Sequence, residues 1–135
     1  MNHTIPSQLK PGSYTWLTHP EMGSKAHMLL ALDTDPEKGW LLMPLSHSTT
    51  KAANKPWQMN KSIGQKTYNA WDKAKWWTEE ELLAALATSY LPTALNSSEW
   101  QKMQESLEWE LHWAKKSTSK SKKLAAADLL EKAGY

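Results

Sequence analysis

Short apolar runs alternate with turn-forming residues through the first half of the chain. Pro-Gly, Asp-Pro and Lys-Gly steps interrupt these runs, and apolar runs of this length between turns are typical of β-strands. The pattern predicts four strands, with an acidic hairpin between the second and the third: 13–18, 27–32, 40–45 and 67–77. Short strands with frequent turns favour a small β-barrel over a fold that alternates strands and helices.

The second half of the chain has the pattern of helices. Thr78 with Glu81, and Asn96 with Glu99, have the spacing of a capping box, in which each residue's side chain accepts from the other's backbone N–H. We therefore expect a short helix after Thr78 and a longer helix from Asn96 to about Ala114. The predicted fold class is mainly β with α, a small barrel followed by these two helices.

The longer helix has apolar side chains on more than one side. One stripe follows helical spacing along a single face: Trp100, Met103, Leu107 and Leu111. Trp109 and Trp113 lie off this stripe. Either the helix is buried on two sides, which is the commoner arrangement, or the additional surface contacts a partner.

The end of the chain differs from the rest in composition. Residues 115–123 are all Lys, Ser or Thr, which is typical of a flexible linker, and Leu124–Lys132 has the pattern of one short helix. We therefore expect a domain over 1–114 and a flexible tail with a short helical segment over 115–135. Deleting this tail is expected to leave the fold intact.

Composition narrows the possible classes of protein. The 135 residues include no Cys, Phe, Val or Arg, while nine Trp and six Met supply much of the missing core volume. The lack of Cys excludes disulfides, thiolate nucleophiles and cysteine-ligated metals. No apolar run is long enough to span a bilayer, and the first residues do not resemble a signal peptide, so we expect a cytoplasmic protein with no membrane contact.

Charge is divided into blocks. Residues 1–78 carry nine Lys and five acidic residues, residues 79–114 one Lys and seven Glu, and residues 115–135 six Lys and two acidic residues. A basic first half suits a polyanionic partner, although dispersed Lys side chains also serve simply to solvate a surface.

Several groups capable of proton transfer fall at the ends of predicted strands. In an antiparallel hairpin the start of one strand lies beside the end of the next, so His27 is expected beside Ser46 and His47. His19 and Lys25 belong to the preceding loop. Residues at strand ends often only face solvent, so this grouping is either a site for acid–base chemistry or a set of surface residues.

Five segments, in order, resemble the MazF/PemK (Kid) family of toxins from bacterial toxin–antitoxin modules. They include Leu9–Pro20, Gly23–Leu32 and the strand Leu41-Leu-Met-Pro-Leu-Ser-His-Ser48, followed by residues 67–78 and 91–111. The resemblance implies an SH3-like β-barrel and a homodimer. It also implies a metal-independent endoribonuclease without a cofactor, which cleaves single-stranded mRNA by attack of the 2′-OH and is inhibited by a small acidic antitoxin protein.

The same resemblance assigns catalytic roles to positions in this chain. Ser46 falls where the family has a Thr whose hydroxyl contacts the phosphate, and His27 replaces the family's Arg. His19 lies where some members place an active-site His, and Asp72 corresponds to an acid–base Asp. Lys25 is expected to supply the positive charge that the missing Arg would provide.

A second group is expected to bind the RNA chain. Cationic and aromatic side chains suit phosphates and unstacked bases, and the candidates are Lys51, Lys55, Trp57, Lys61, His47 and Lys73. The acidic helix is expected to face away from the RNA. The alternative is an inactive barrel, similar to MazF or to the related CcdB toxins, which acts as a protein- or RNA-binding module.

Overall fold

The computed structural model describes residues 8–18, 26–46, 55–59, 66–85, 92–116 and 121–135, the first three residues of the last range by their backbone alone. Within these ranges the fold is mixed β and α. Its strands are β1 Ser13–Thr18, β2 Ala26–Asp35, β3 Gly39–Ser46, β4 Tyr68–Asn69, β5 Lys75–Trp77 and β6 Thr93–Ala94. Its α-helices are α1 Glu79–Ala85, α2 Ser97–Lys116 and α3 Ser121–Lys132.

The strands form one curled antiparallel sheet with the shape of a half-barrel. Their order is β4-β3-β2-β1-β6, and β5 also pairs with β3. The predicted β2–β3 hairpin is present. The Asp35 carboxylate accepts from the backbone N–H groups of Glu37 and Lys38 at 2.8 and 3.0 Å, and these bonds lower the pKa of Asp35.

Gly39 closes that hairpin at a position that only glycine fits. Its φ is +98°, and a Cβ atom there would lie 2.1 Å from the carbonyl oxygen of Trp77 on β5. Positive φ costs little for glycine, and the missing Cβ allows the two backbones to approach. The hairpin and the β3–β5 pairing therefore depend on the same residue.

The fourth predicted strand, 67–77, is wrong as one continuous element. It is divided into β4, a 3-10 turn at Trp71–Lys73, and β5. The break lies opposite Pro44, whose carbonyl accepts from the Ala70 N–H at 2.9 Å but which has no N–H to donate in return. The ladder loses a bond there, and the chain turns Trp71 into the core.

Side chains on the two faces of the sheet belong to separate apolar clusters. On the first, which we call the α2-covered face, side chains of β1–β3 pack with α2, α3 and the 3-10 turn: Tyr14, Leu30, Met43, Leu45, Trp71, Met103, Leu107 and Leu130. The second, the α1-covered face, holds Leu17, Leu29 and Leu42 against Leu82 and Trp77. Buried Trp and Met side chains thus supply the volume expected of them.

Both predicted capping boxes are confirmed. Thr78 and Glu81 exchange backbone-to-side-chain bonds of 3.1 and 3.2 Å at the start of α1. Asn96 and Glu99 do the same at 3.0 and 2.7 Å at the start of α2. Lys75 also donates to the Glu81 carboxylate at 2.9 Å, and this bond is the main cause of the lowered pKa of Glu81.

The expected separation of the chain at residue 114 is not a boundary of the core. α2 continues to Lys116, and the short helix expected at Leu124–Lys132 is present as α3. Ala126, Ala127 and Leu130 are buried in the same cluster as α2. Residues 117–120, in the middle of the expected linker, lie outside the described residues.

Tyr135, at the end of the described residues, also attaches the segment after α3 to β2. The Tyr135 hydroxyl donates to the Leu32 carbonyl at 2.7 Å, and its ring meets Trp100 edge-on at 6.3 Å. Burial, with a smaller contribution from Asp33, raises the pKa of Tyr135 to about 12. Residues 124–135 therefore complete the core, and the expectation that removing 115–135 leaves the fold intact does not follow from this packing.

Candidate functional site

The predicted neighbourhood of His27 and Ser46 follows from the pairing of β2 with β3. Met28 lies opposite Leu45 in this antiparallel ladder, so the next pair outward is His27 and Ser46. Ser46 also lies opposite Tyr68 of β4. Residues directly opposite each other project to the same face of a sheet. We call His27, Ser46 and Tyr68 the strand-end row.

The strand-end row lies on the α1-covered face, at one end of the three central strands. His27 alternates along β2 with Leu29, whose side chain belongs to the apolar cluster of that face. All three members of the row are partly buried. The row therefore adds polar groups to the end of an apolar surface, on residues whose backbone positions are fixed by the sheet.

The chemical groups of this row are complementary. An imidazole can act as a general acid or a general base. A serine hydroxyl and a tyrosine phenol each donate one hydrogen bond and also accept. A base, a hydroxyl donor and a phenol held in one line match the needs of a reaction that moves a proton and develops negative charge on oxygen.

Three of the expected site residues, His19, Lys25 and His47, lie outside the described residues. Their assignment therefore stays a prediction from the sequence. The same holds for two expected RNA-binding residues, Lys51 and Lys61.

Asp72 does not lie on β2, β3 or β4, the strands that carry the strand-end row. It lies in the 3-10 turn with Lys73, and this turn packs against α3 and β3. Its neighbours Trp71 and Ala74 are buried on the α2-covered face, whereas the row lies on the other face. The departure follows from the break opposite Pro44, which a continuous strand would not have.

Trp57 is part of the core and does not offer its ring to RNA. It is 6% exposed, and its indole Nε1 donates to Asn69 Oδ1 at 2.8 Å. The Asn69 amide in turn donates to the Met103 carbonyl at 3.4 Å. This buried bond joins the segment 55–59 to β4 and α2, so the role expected for Trp57 as a stacking platform is wrong.

Lys55 lies against the acidic helix rather than apart from it. Its backbone N–H donates to Glu110 Oε1 at 3.1 Å, and its carbonyl accepts from the Ser106 hydroxyl. Its ammonium lies 5.8 Å from the ring centre of Trp109. The expected separation between a basic RNA surface and the acidic helix therefore does not hold at Lys55.

A cleft of about 490 Å³ lies along α2 beside Lys55 and Tyr135. Trp109 lines it, together with Glu105, Glu108 and Lys115. Sequence reasoning separated Lys55 from these residues because they are about fifty positions away. It also missed Tyr68, whose only signal was its place at the start of the fourth apolar run.

Two further features bear on function. Within the described ranges, His, Asp and Glu side chains nowhere gather in a group of three that could hold a metal ion. Of the helices in those ranges, none has the length and apolar composition needed to cross a bilayer.

Comparison with known proteins gives no relative. The chain matches no protein-family model, no curated protein and no solved structure at a significant level. None of these comparisons supports the resemblance to the MazF/PemK family, which is a resemblance of sequence segments alone.

Proposed function

We propose that the protein is an endoribonuclease that cleaves single-stranded RNA without a metal ion, at the strand-end row. The observation that carries the proposal is the register that aligns His27, Ser46 and Tyr68 across β2, β3 and β4. The resemblance to the MazF/PemK family supports the same chemistry. An SH3-like barrel, inhibition by a small acidic protein and a cytoplasmic location belong to this proposal.

The reaction assigns one role to each member of the row. His27 takes the proton of a ribose 2′-OH, whose oxygen attacks the adjacent phosphorus. A bond forms between O2′ and phosphorus, the bond from phosphorus to O5′ breaks, and the products are a 2′,3′-cyclic phosphate and a 5′-hydroxyl. The Tyr68 phenol supplies the proton to O5′, and the proton taken up by His27 then returns to the Tyr68 phenolate through water. The Ser46 hydroxyl donates to a phosphoryl oxygen.

Lysine is the only permanently charged cation available for phosphate binding, because the chain contains no Arg. Lys25, two residues before His27, is our candidate for this role. His19 and His47 remain candidates for contacts with the RNA. We assign the proton donor to Tyr68 and not to Asp72, because Tyr68 lies in register with Ser46 whereas Asp72 belongs to the 3-10 turn.

The second candidate function is a binding module without catalysis. The absence of an Arg favours it, because the resembling family depends on that residue. Such a module would retain RNA or a protein and leave RNA intact. RNA retention that weakens with salt, without new RNA ends, is its signature.

A set of conservative variants tests the catalytic proposal. Purified wild-type protein is incubated with a long single-stranded RNA in EDTA, beside His27→Gln, Ser46→Ala and Tyr68→Phe. The control is His112→Gln, the same substitution at an exposed His of α2. We expect His27→Gln to slow cleavage by about 10²- to 10⁴-fold, the usual contribution of a general base.

The remaining variants are expected to be intermediate, and His112→Gln to cleave as wild type does. Circular dichroism of each variant checks that the sheet is retained. Intact RNA with the wild-type protein, or equal cleavage by wild type and His27→Gln, would reject the proposal.

A further inference from the structure

The outer face of α2 carries two large exposed aromatic side chains. Trp109 is 41% exposed and Trp113 is 52% exposed. Their rings lie 6.1 Å apart with planes inclined by 56°, so they form one apolar patch. Of the two alternatives left by the sequence, burial on two sides is wrong for these residues. Exposed tryptophans of this kind mark interaction surfaces, where Trp contributes more than most residues.

Charged residues flank this pair with opposite signs at its two ends. Glu105 precedes Trp109 by one helical turn, and Lys116 follows Trp113 by three positions, so the four residues share one side of α2. The Lys116 ammonium lies 5.7 Å from the Trp113 ring centre. We call Glu105, Trp109, Trp113 and Lys116 the tryptophan stripe.

The stripe is complementary to itself when reversed. Position 111 is the midpoint of the two tryptophans, and Glu105 lies about 9 Å and Lys116 about 7.5 Å from it along the helix. A two-fold axis through this midpoint sets Trp109 of one copy against Trp113 of the other. It also brings each Glu105 to within about 1.5 Å, along the helix axis, of the level of the other copy's Lys116.

We propose that this stripe is a dimer interface, at which α2 of a second copy of the chain packs antiparallel. The arrangement is isologous, so both copies use the same residues and the contact closes as a dimer. Antiparallel helices also set their macrodipoles in opposition. The proposal is independent of the strand-end row, which lies on the other face of the sheet.

Charge complementarity favours a second copy as the occupant of this surface. The cleft beside Trp109 is lined by Glu105 and Glu108 but also by Lys55 and Lys115, so its mixed charge favours neither phosphates nor a uniformly acidic partner. A reversed copy places its Lys116 near the level of Glu105, so a second copy fits this surface better than either.

The interface is small, so the dimer is expected to be weak. The exposed parts of the two Trp side chains amount to roughly 230 Å² on each copy, taking about 250 Å² for a whole Trp. Stable complexes bury about 800 Å² on each partner, whereas smaller interfaces are typical of transient ones. We expect a dissociation constant of the order of 10–100 μM.

Sedimentation equilibrium of the full chain, from about 1 μM to about 500 μM, tests this inference. Wild type is expected to pass from monomer to dimer across this range, and the double variant Trp109→Ala with Trp113→Ala to stay monomeric. Leu124→Ala is the control, because Leu124 is also exposed, at 42%, but lies on α3. A monomeric wild type, or a dimer that the double variant retains, would overturn the proposal.

Charge reversal gives a second test that does not depend on the tryptophans. Glu105→Lys and Lys116→Glu are each expected to weaken the dimer by about 3- to 10-fold, and the two together to restore it to within about 3-fold. A double variant weaker than both single variants would contradict the antiparallel arrangement. A different outcome is a wild type that is monomeric and a double Trp variant that retains less RNA than wild type does. That outcome would identify the stripe as a nucleic-acid surface instead.

Discussion

Leu130→Ala is the sharpest test of whether α3 belongs to the folded domain. Leu130 has no exposed surface and packs in the cluster that contains Met103 and Leu107 of α2. The substitution removes three carbon atoms, worth about 2.4 kcal/mol of transfer free energy at about 0.8 kcal/mol each. The remaining cavity adds to this cost, so we expect the free energy of unfolding to fall by about 3–4 kcal/mol.

Leu124→Ala is the matched control, because it makes the same chemical change at an exposed position of the same helix. We expect it to cost less than about 1 kcal/mol. Urea unfolding, followed by circular dichroism and by tryptophan fluorescence, measures both variants. In thermal melts Leu130→Ala should lower Tm by about 10 °C. Equal stability of the two variants would show that α3 is a detached tail and that this packing is wrong.

Two further predictions concern single residues. Gly39→Ala should lower Tm by several degrees more than Gly134→Ala. Both glycines have positive φ, but only a Cβ at Gly39 meets a backbone oxygen, so equal losses of Tm would contradict the close approach. Because the folded-state pKa of Tyr135 is raised to about 12, its stabilising contribution is complete below about pH 10 and is lost as pH rises to about 12. Urea midpoints of wild type should therefore fall more steeply over that range than those of Tyr135→Phe, and parallel curves would refute the assignment.

The sequence predicted those elements that are stabilised by hydrogen bonds between residues close together in the chain. The β2–β3 hairpin follows from its Asp and Gly residues, and the two capping boxes start α1 and α2 where the Thr-x-x-Glu and Asn-x-x-Glu spacings indicated. The adjacency of β2 and β3 ends could also be predicted, because a hairpin fixes which ends meet. Each of these features depends on only a few residues that are neighbours in the sequence.

Contacts between distant residues account for what the sequence did not predict. The strand over 67–77 breaks because Pro44 of β3 cannot donate to it, and nothing within 67–77 indicates that pairing. Trp57 is buried because Asn69 and Met103 lie beside it. α3 begins with a polar, Lys-rich segment that suggested a linker. Its small apolar face is buried because it packs against α2 and the sheet.

The candidate site also combines a feature that the sequence predicted with features that it did not. The position of His27 beside Ser46 depends on the hairpin and could be predicted. Tyr68 joins them through the pairing of β4 with β3, which a long connection separates in sequence. Asp72 lies outside the three paired strands because a 3-10 turn interrupts the fourth predicted strand. The third member of the row, Tyr68, could therefore be identified only from the pairing of β4 with β3 in the folded sheet.

Cleavage of an oligonucleotide pair tests the central claim most directly. One strand is ordinary RNA and the other has the same sequence with every 2′-OH methylated, and both are incubated with wild type and with His27→Gln in EDTA. We predict that wild type cuts only the ordinary strand and leaves cyclic phosphate ends, and that His27→Gln is slower by about 10²- to 10⁴-fold. Cleavage of the methylated strand, undiminished cleavage by His27→Gln, or no cleavage by wild type would contradict the account.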